Sequence, residues 1–268
     1  MNEFVKRAIT GAVYVALTLG AAFAGPRTTF LLFLPVCVIA ARELHLLYWK
    51  DMGDAPPIER PLLLAAFVYL AVAAMAIVPA ITAWHALACT LLVLSILAFD
   101  LMQRRAPAPA LELGAYALTL LWVALPFGLV PHFIDPGPEK FVGFLVLLWT
   151  NDTGAYLVGR AVGRHKLMPS VSPGKTIEGL LGGIALTLAA GWALWHFWPV
   201  LSLMQWLACA VVVSVFATLG DLLESALKRA RGVKDSGRIL PGHGGILDRF
   251  DGFLLAAPAM LVCIHLWR

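Results

Sequence analysis

Charge is what this sequence has least of. Of its 268 residues 13% are Asp, Glu, Lys or Arg and 60% are hydrophobic, where a soluble domain carries about 25% charged side chains. That is too little polar surface for water to solvate a globule, which excludes an ordinary soluble protein. Cysteine is scarce as well: Cys37, Cys89, Cys209 and Cys263 stand singly in apolar runs, without the paired spacing of a zinc site or a disulfide framework. They read as small buried hydrophobes. There is no internal repeat, and no connection between apolar runs is long enough to hold a soluble domain. The composition predicts an all-α, polytopic integral membrane protein organised as a single transmembrane domain over 1–268.

Taking about 20 apolar residues as one crossing of a ~30 Å hydrocarbon core, the apolar runs predict helices near 8–24, 28–48, 61–79, 82–102, 112–130, 140–160, 177–198, 202–224 and 249–267, about nine spans. The first is read as a retained helix rather than a cleaved signal peptide, because further spans follow Ala22-Phe23-Ala24-Gly25 at once. Breaks fall at Gly25-Pro26, Pro56-Pro57, Pro79, Pro107 to Pro109, Pro136-Gly137-Pro138 and Pro199, where proline and glycine punctuate helices.

Lysine and arginine set the orientation, since cytoplasmic loops retain them. With the N-terminus inside, seventeen of the 20 fall on the cytoplasmic face, leaving Arg27, Lys140 and Arg268 on the other. The expectation is a multi-pass protein of the cell's inner membrane, N-terminus in and C-terminus out, in contact with anionic lipid headgroups. A basic patch embedded at a bilayer face argues against nucleic acid.

The two halves differ. Spans within 1–135 hold few ionisable groups, chiefly His85, Asp100 and Glu112, assigned to packing, and this half reads as scaffold. The half from 136 to 268 holds nearly all the polar residues at membrane depth, which default to function. Asp152 and Tyr156 share a helix face, and Ala155, Gly159 and Gly163 repeat every four residues, permitting close helix packing.

Farther on, Gly174-Lys175-Thr176 lacks the glycine five positions upstream that a Walker A loop needs; Pro169 stands there. What remains is a helix opening at Ser172 or Pro173-Gly174, with free N–H groups and a lysine at the membrane surface, suited to phosphate. In the eighth span Asp221, Glu224, Ser225 and Lys228 fall on one face. Two carboxylates so close need a cation, either Lys228 or a divalent metal. Asp248 and Asp251 sit three apart at the start of the ninth span. Together with Asp152 these acids are hard oxygen donors of the type Mg²⁺ prefers. Between them, Pro241-Gly242-His243-Gly244-Gly245 forms a loop whose amides can approach an anion, flanked by Arg229, Arg231, Lys234 and Arg238.

These segments resemble a known family, phosphatidate cytidylyltransferase or CDP-diacylglycerol synthase. The resemblance lies in Ser225-x-Leu-Lys228-Arg229, Lys234-Asp235-x-Gly237 and Leu240-Pro241-x-His243-Gly244-Gly245-Ile-x-Asp248-Arg249-Phe-Asp251. It extends to Asn151-Asp152-x-x-Ala155-Tyr156 and Ser172-Pro173-x-Lys175-Thr176-x-Glu178-Gly179, covering roughly the C-terminal half.

The resemblance implies a reaction of CTP with phosphatidate that gives CDP-diacylglycerol and pyrophosphate, with Mg²⁺ required and room for a second cation and a homodimer. On that reading Asp221, Asp248, Lys175 and His243 are catalytic, His243 through a hydrogen bond or the loop's shape rather than as a base. Asp221 and Asp248 hold the metal, with Asp152 and Glu224 nearby. Substrates contact Asn151, Asp152, Tyr156, Ser172, Thr176, Glu178, Ser225, Lys228, Arg229, Lys234, Asp235, Gly244, Gly245, Arg249 and Asp251. No Ser-His or Cys-His pair is evident, and none is needed, because a phosphate monoester with its second pKa near ~6 is already largely dianionic at pH 7.

Overall fold

In the computed structural model the described residues are 3–53, 55–103, 108–134, 136–237, 239 and 244–267, without the side chains of 3, 4 and 6–8. Every segment predicted to span is helical. Two compact units divide the chain: Met1–Asp135 with Asp235–Asp248, and Pro136–Lys234 with Arg249–Arg268.

The first unit holds α1 (Glu3–Ala24), α2 (Pro26–Tyr48), α3 (Glu59–Ala74), α4 (Ala83–Gln103), α5 (Pro109–Leu118) and α6 (Leu125–Gly128). Gly25 takes φ 110° between α1 and α2, and Pro26 supplies the fixed φ of a first helical position. Phe33, Cys37, Ala40, Ala41 and Leu44 of α2 are buried, and Tyr69 of α3 donates to the Phe30 carbonyl at 2.7 Å. Arg60 of α3 pairs with Asp100 of α4 at 2.8 Å. Between α5 and α6 the ladder widens into a π-helical segment, Thr119–Ala124. Pro126 explains it: with no N–H and a ring that crowds the carbonyl four residues back, it interrupts the α pattern. A 3-10 turn, Val130–Phe133, completes the run.

The second unit holds α7 (Glu139–Val162), a hairpin of β1 (Lys166–Met168) and β2 (Ser172–Thr176), α8 (Ile177–Phe197), α9 (Leu203–Ala230) and most of α10 (Leu247–Leu266). The expected close packing of α7 is present. A methyl on Gly179 of α8 would sit 2.8 Å from the Ala155 carbonyl oxygen, and Gly159 faces Gly179 in the same crossing. Helices α9 and α10 meet as tightly, with Gly220 against the Asp251 carbonyl and Gly252 against Ala217.

Among the described residues seven helices are long and apolar enough to cross a membrane. The other two predicted segments are shorter: the apolar part of α1 is Ile9–Ala24, and α3 has 16 residues, or about 24 Å at 1.5 Å per residue. Nine is therefore an approximate count. Leu91, Leu92, Ile96 and Phe99 of α4 point outward, as a lipid-facing helix requires. The hairpin is a second departure. The helix expected to open at Ser172 or Pro173-Gly174 begins at Ile177, because β2 continues through Thr176. Thr176 is extended, and its hydroxyl accepts the Gly179 N–H at 3.1 Å, an N-cap that fixes the start of α8.

Alanine normally outperforms glycine in a helix by about 1 kcal/mol, yet Gly220→Ala is expected to lower the detergent melting temperature, because its methyl must displace a backbone carbonyl, at a cost of about 1–3 kcal/mol. Gly11→Ala, with nothing within 4 Å, is the control and should hold or raise it. Equal melting temperatures for both variants would contradict the α9–α10 contact.

Candidate active site

The second unit's polar residues surround a cavity of about 430 Å³, lined among others by Asn151, Asp152 and Tyr156 of α7, Ser172, Lys175 and Thr176 of β2, and Asp221 of α9. Each arrives by a different route. The α7–α8 crossing brings Asn151 and Tyr156 beside the start of α8, and the hairpin carries Lys175 over α9. There the Lys175 ammonium lies 2.6 Å from Asp221 Oδ2 and 3.5 Å from the Thr218 carbonyl oxygen. Ser225, one turn along α9, donates to Asp221 Oδ1 at 3.2 Å. Asn151 donates to Asp152 Oδ1 at 3.4 Å.

Three carboxylates from three helices share this electrostatic field: Asp152 has Lys175 and Asp221 as charged neighbours, and Asp251 of α10 has Asp221, Asp152 and Lys228. The glycine contact between α9 and α10 makes that approach feasible. Among the described residues the close ion pairs of this unit take up Asp221, Glu224 and Glu178, not Asp152 or Asp251. No group of three or more His, Cys, Asp or Glu side chains among them has metal-holding geometry. Mg²⁺ asks less of protein, since it is commonly held by one or two carboxylates with water and substrate phosphate completing the shell. The oxygen donors of Asp152, Asp221 and Asp251 fit that demand.

Other predicted residues lie in different surroundings. Glu224 and Lys228 form a buried pair at 2.5 Å, so Lys228, weighed for this helix face beside a divalent metal, serves Glu224, while Asp221 pairs with Lys175, which the sequence reading does not match to it. Glu178 braces the hairpin: its carboxylate accepts the Arg164 N–H at 3.0 Å and pairs with the His165 ring at 2.6 Å. Arg229 donates to the Val233 carbonyl at 2.9 Å, while Lys234, Asp235 and Arg249 are exposed. Asp248 belongs to the first unit, where its Oδ2 accepts the N–H groups of Ser236 and Gly245 at 2.9 and 2.8 Å. Gly244 beside it takes φ 79°, a conformation that favours glycine. His243, with Arg238, Leu240, Pro241 and Gly242, lies outside the described residues.

Sequence reasoning missed Arg160, Thr218 and Glu43. Arg160 lines the cavity and donates to the Tyr156 hydroxyl at 3.1 Å; its place one turn after Tyr156 was a readable signal. Thr218 contributes a backbone carbonyl, which no side-chain pattern announces. Glu43 is an acid inside an apolar span, a feature that asks for a functional explanation wherever it occurs.

The buried pair gives a test of local electrostatics. Lys228→Met removes the cation 2.5 Å from the buried Glu224 carboxylate and should cost about 3–5 kcal/mol of stability, while Glu224→Leu/Lys228→Met should recover most of it, because two apolar side chains replace a desolvated pair. Thermal unfolding in detergent reads both. A double variant as unstable as the single would contradict the pairing.

Comparison with known proteins bears on the same residues. The family model for the Cytidylyltransferase family matches residues 5–267. Among curated relatives, a Staphylococcus aureus protein named phosphatidate cytidylyltransferase is 49% identical over 149 residues, 55% of this chain and 57% of that protein. Proteins of the same name from Staphylococcus haemolyticus and Staphylococcus saprophyticus are 50% identical over 122 residues and 40% identical over 148. The haemolyticus match covers 45% of this chain and 46% of the relative, the saprophyticus match 55% and 57%. The alignments thus span about half the length of these relatives. A match over nearly every residue, on a chain whose cavity gathers the 151–156 and 172–179 segments of the sequence resemblance, places this membrane protein in the Cytidylyltransferase family.

Proposed function

We propose that this chain transfers the cytidylyl group of CTP to phosphatidate, yielding CDP-diacylglycerol and pyrophosphate. The observation that carries the reading is the convergence of Asn151, Asp152, Tyr156, Ser172, Lys175, Thr176 and Asp221 on one cavity. The relatives' name supports it. An oxygen of the lipid phosphate attacks the α-phosphorus of CTP; the new P–O bond forms as the bond to the β-phosphate's bridging oxygen breaks, and that oxygen leaves with pyrophosphate. The nucleophile arrives deprotonated, so the protein's task is to overcome repulsion between two anions and stabilise charge during transfer.

Each residue's part follows from its surroundings. Lys175, now paired with Asp221, is the cation that a substrate phosphate would draw away. Tyr156 and Arg160, joined to each other at 3.1 Å, offer a hydroxyl and a guanidinium to the cavity, which Ser172 and Thr176 also line. Asp221, Asp251 and Asp152 would hold Mg²⁺, with Asp248 retained on sequence grounds because it sits three residues before Asp251 on α10. Bound there, the ion would neutralise charge on the triphosphate. The seventeen-to-three partition of Lys and Arg supports a cytoplasmic site in the inner membrane, where CTP is available, with 1–135 as scaffold and 136–268 carrying the chemistry.

Purified protein supplied with phosphatidate and CTP labelled at the α-phosphate should place the label in lipid, and γ-label should leave as pyrophosphate. Label from the γ-position in lipid would instead make the chain a CTP-dependent kinase. In sealed vesicles, added CTP should be used only where the cytoplasmic face is outward. Lys175→Ala should cost about 2–5 kcal/mol in kcat/KM; unchanged kinetics would reduce Lys175 to a surface lysine.

A further inference from the structure

The first unit holds a carboxylate that the transfer reaction leaves unexplained. Glu43 lies in α2, is 1% exposed, and takes its partners from the far end of the sequence. Leu247 donates its N–H to Glu43 Oε2 at 2.8 Å, and Ser236 Oγ reaches the same oxygen at 3.4 Å. Leu247 is the first residue of α10, so this N–H has no acceptor within its own helix. Glu43 fills from another helix the role that an N-cap side chain usually fills, with a charge of the sign that a helix N-terminus favours.

Gly237 and Gly245 lie tightly against that carboxylate. A Cβ on Gly237 would strike Glu43 Oε1, and one on Gly245 would strike Oε2. Asp248 works from the other side: its Oδ2 accepts the Ser236 and Gly245 amides, and the Ser236 hydroxyl lies 3.0 Å away. Among the described residues Glu43 Oε1 is buried without a hydrogen-bond partner. An ionised acid in a membrane-spanning helix costs about 2.5–3.5 kcal/mol on insertion scales, and leucine would pack the same volume without that cost. The acid makes sense if the loop's shape depends on it.

We propose that Glu43 is a positioning residue for the transfer reaction: its carboxylate holds Ser236, Gly245 and the Leu247 amide at the start of α10, and with them the side chain of Asp248. The geometry stands independently of the function; the catalytic consequence rests on the cytidylyl-transfer reading. Residues that orient a site from behind typically cost 10–100-fold when removed. An acid that merely fills space would change stability alone.

The test combines amide hydrogen exchange across 236–247 with steady-state kinetics on the full-length protein. Glu43→Ala should raise exchange at Leu247 at least about tenfold and lower kcat about 10- to 100-fold, with KM for CTP changing much less than kcat. Should Glu43→Ala not accumulate folded, Glu43→Gln carries the test. It keeps the shape and one acceptor oxygen, and should show the same changes at smaller size. Wild-type exchange in a folded variant, or wild-type kcat with a loosened loop, would overturn the proposal. If the wild-type protein makes no CDP-diacylglycerol, the functional reading fails by itself, while exchange still decides whether Glu43 holds the loop.

Discussion

A carboxylate at membrane depth must find a cation or a dense set of donors, and the second unit is organised by how that requirement is met. Asp221 has Lys175 at 2.6 Å and Glu224 has Lys228 at 2.5 Å. Asp152 and Asp251 share the same field without an ion pair among the described residues. Negative charge gathered in this way favours a further cation, the place that the proposed reaction gives to a divalent metal. On the proposed reading the Lys175–Asp221 pair would be a resting arrangement, in which each side chain holds the place of its working partner.

Backbone approach makes that arrangement reachable. Gly159 and Gly179 let α7 and α8 cross closely enough for the hairpin to reach over α9, and Gly220 lets α10 bring Asp251 beside Asp221. The hairpin itself is braced by Glu178, which ties the end of α7 to the start of α8. Helices supply the fixed points and β2 supplies the reach.

Much of this was legible in the sequence. Apolar run length marked every helix, because a bilayer permits so few ways to satisfy the backbone, and the four-residue repeat of Ala155, Gly159 and Gly163 announced the α7–α8 crossing. Two of the clustered acids, Asp152 and Asp221, line the cavity of the second unit. What could not be read were choices made by tertiary context. Gly174-Lys175-Thr176 looks like a helix start, and the chain instead extends it as a strand against Lys166–Met168. Lys228 is as near to Asp221 in sequence as Lys175 is far, yet the ion pair forms with Lys175. Glu43 and the loop after Lys234 are separated by about two hundred residues, and no periodicity links them. The resemblance carried information that spacing alone did not, and it covered only the half to which the proposed chemistry is assigned.

The central claim is that the carboxylates around Asp221 hold a divalent cation together with nucleotide. Mn²⁺ favours the same oxygen donors as Mg²⁺ and can be titrated by electron paramagnetic resonance into purified protein with CTP present. The account predicts CTP-dependent binding of Mn²⁺ that weakens at least about tenfold in both Asp221→Asn and Asp251→Asn, since each loses a charge that offsets the ion's dehydration. Binding of wild-type strength in both variants would contradict it.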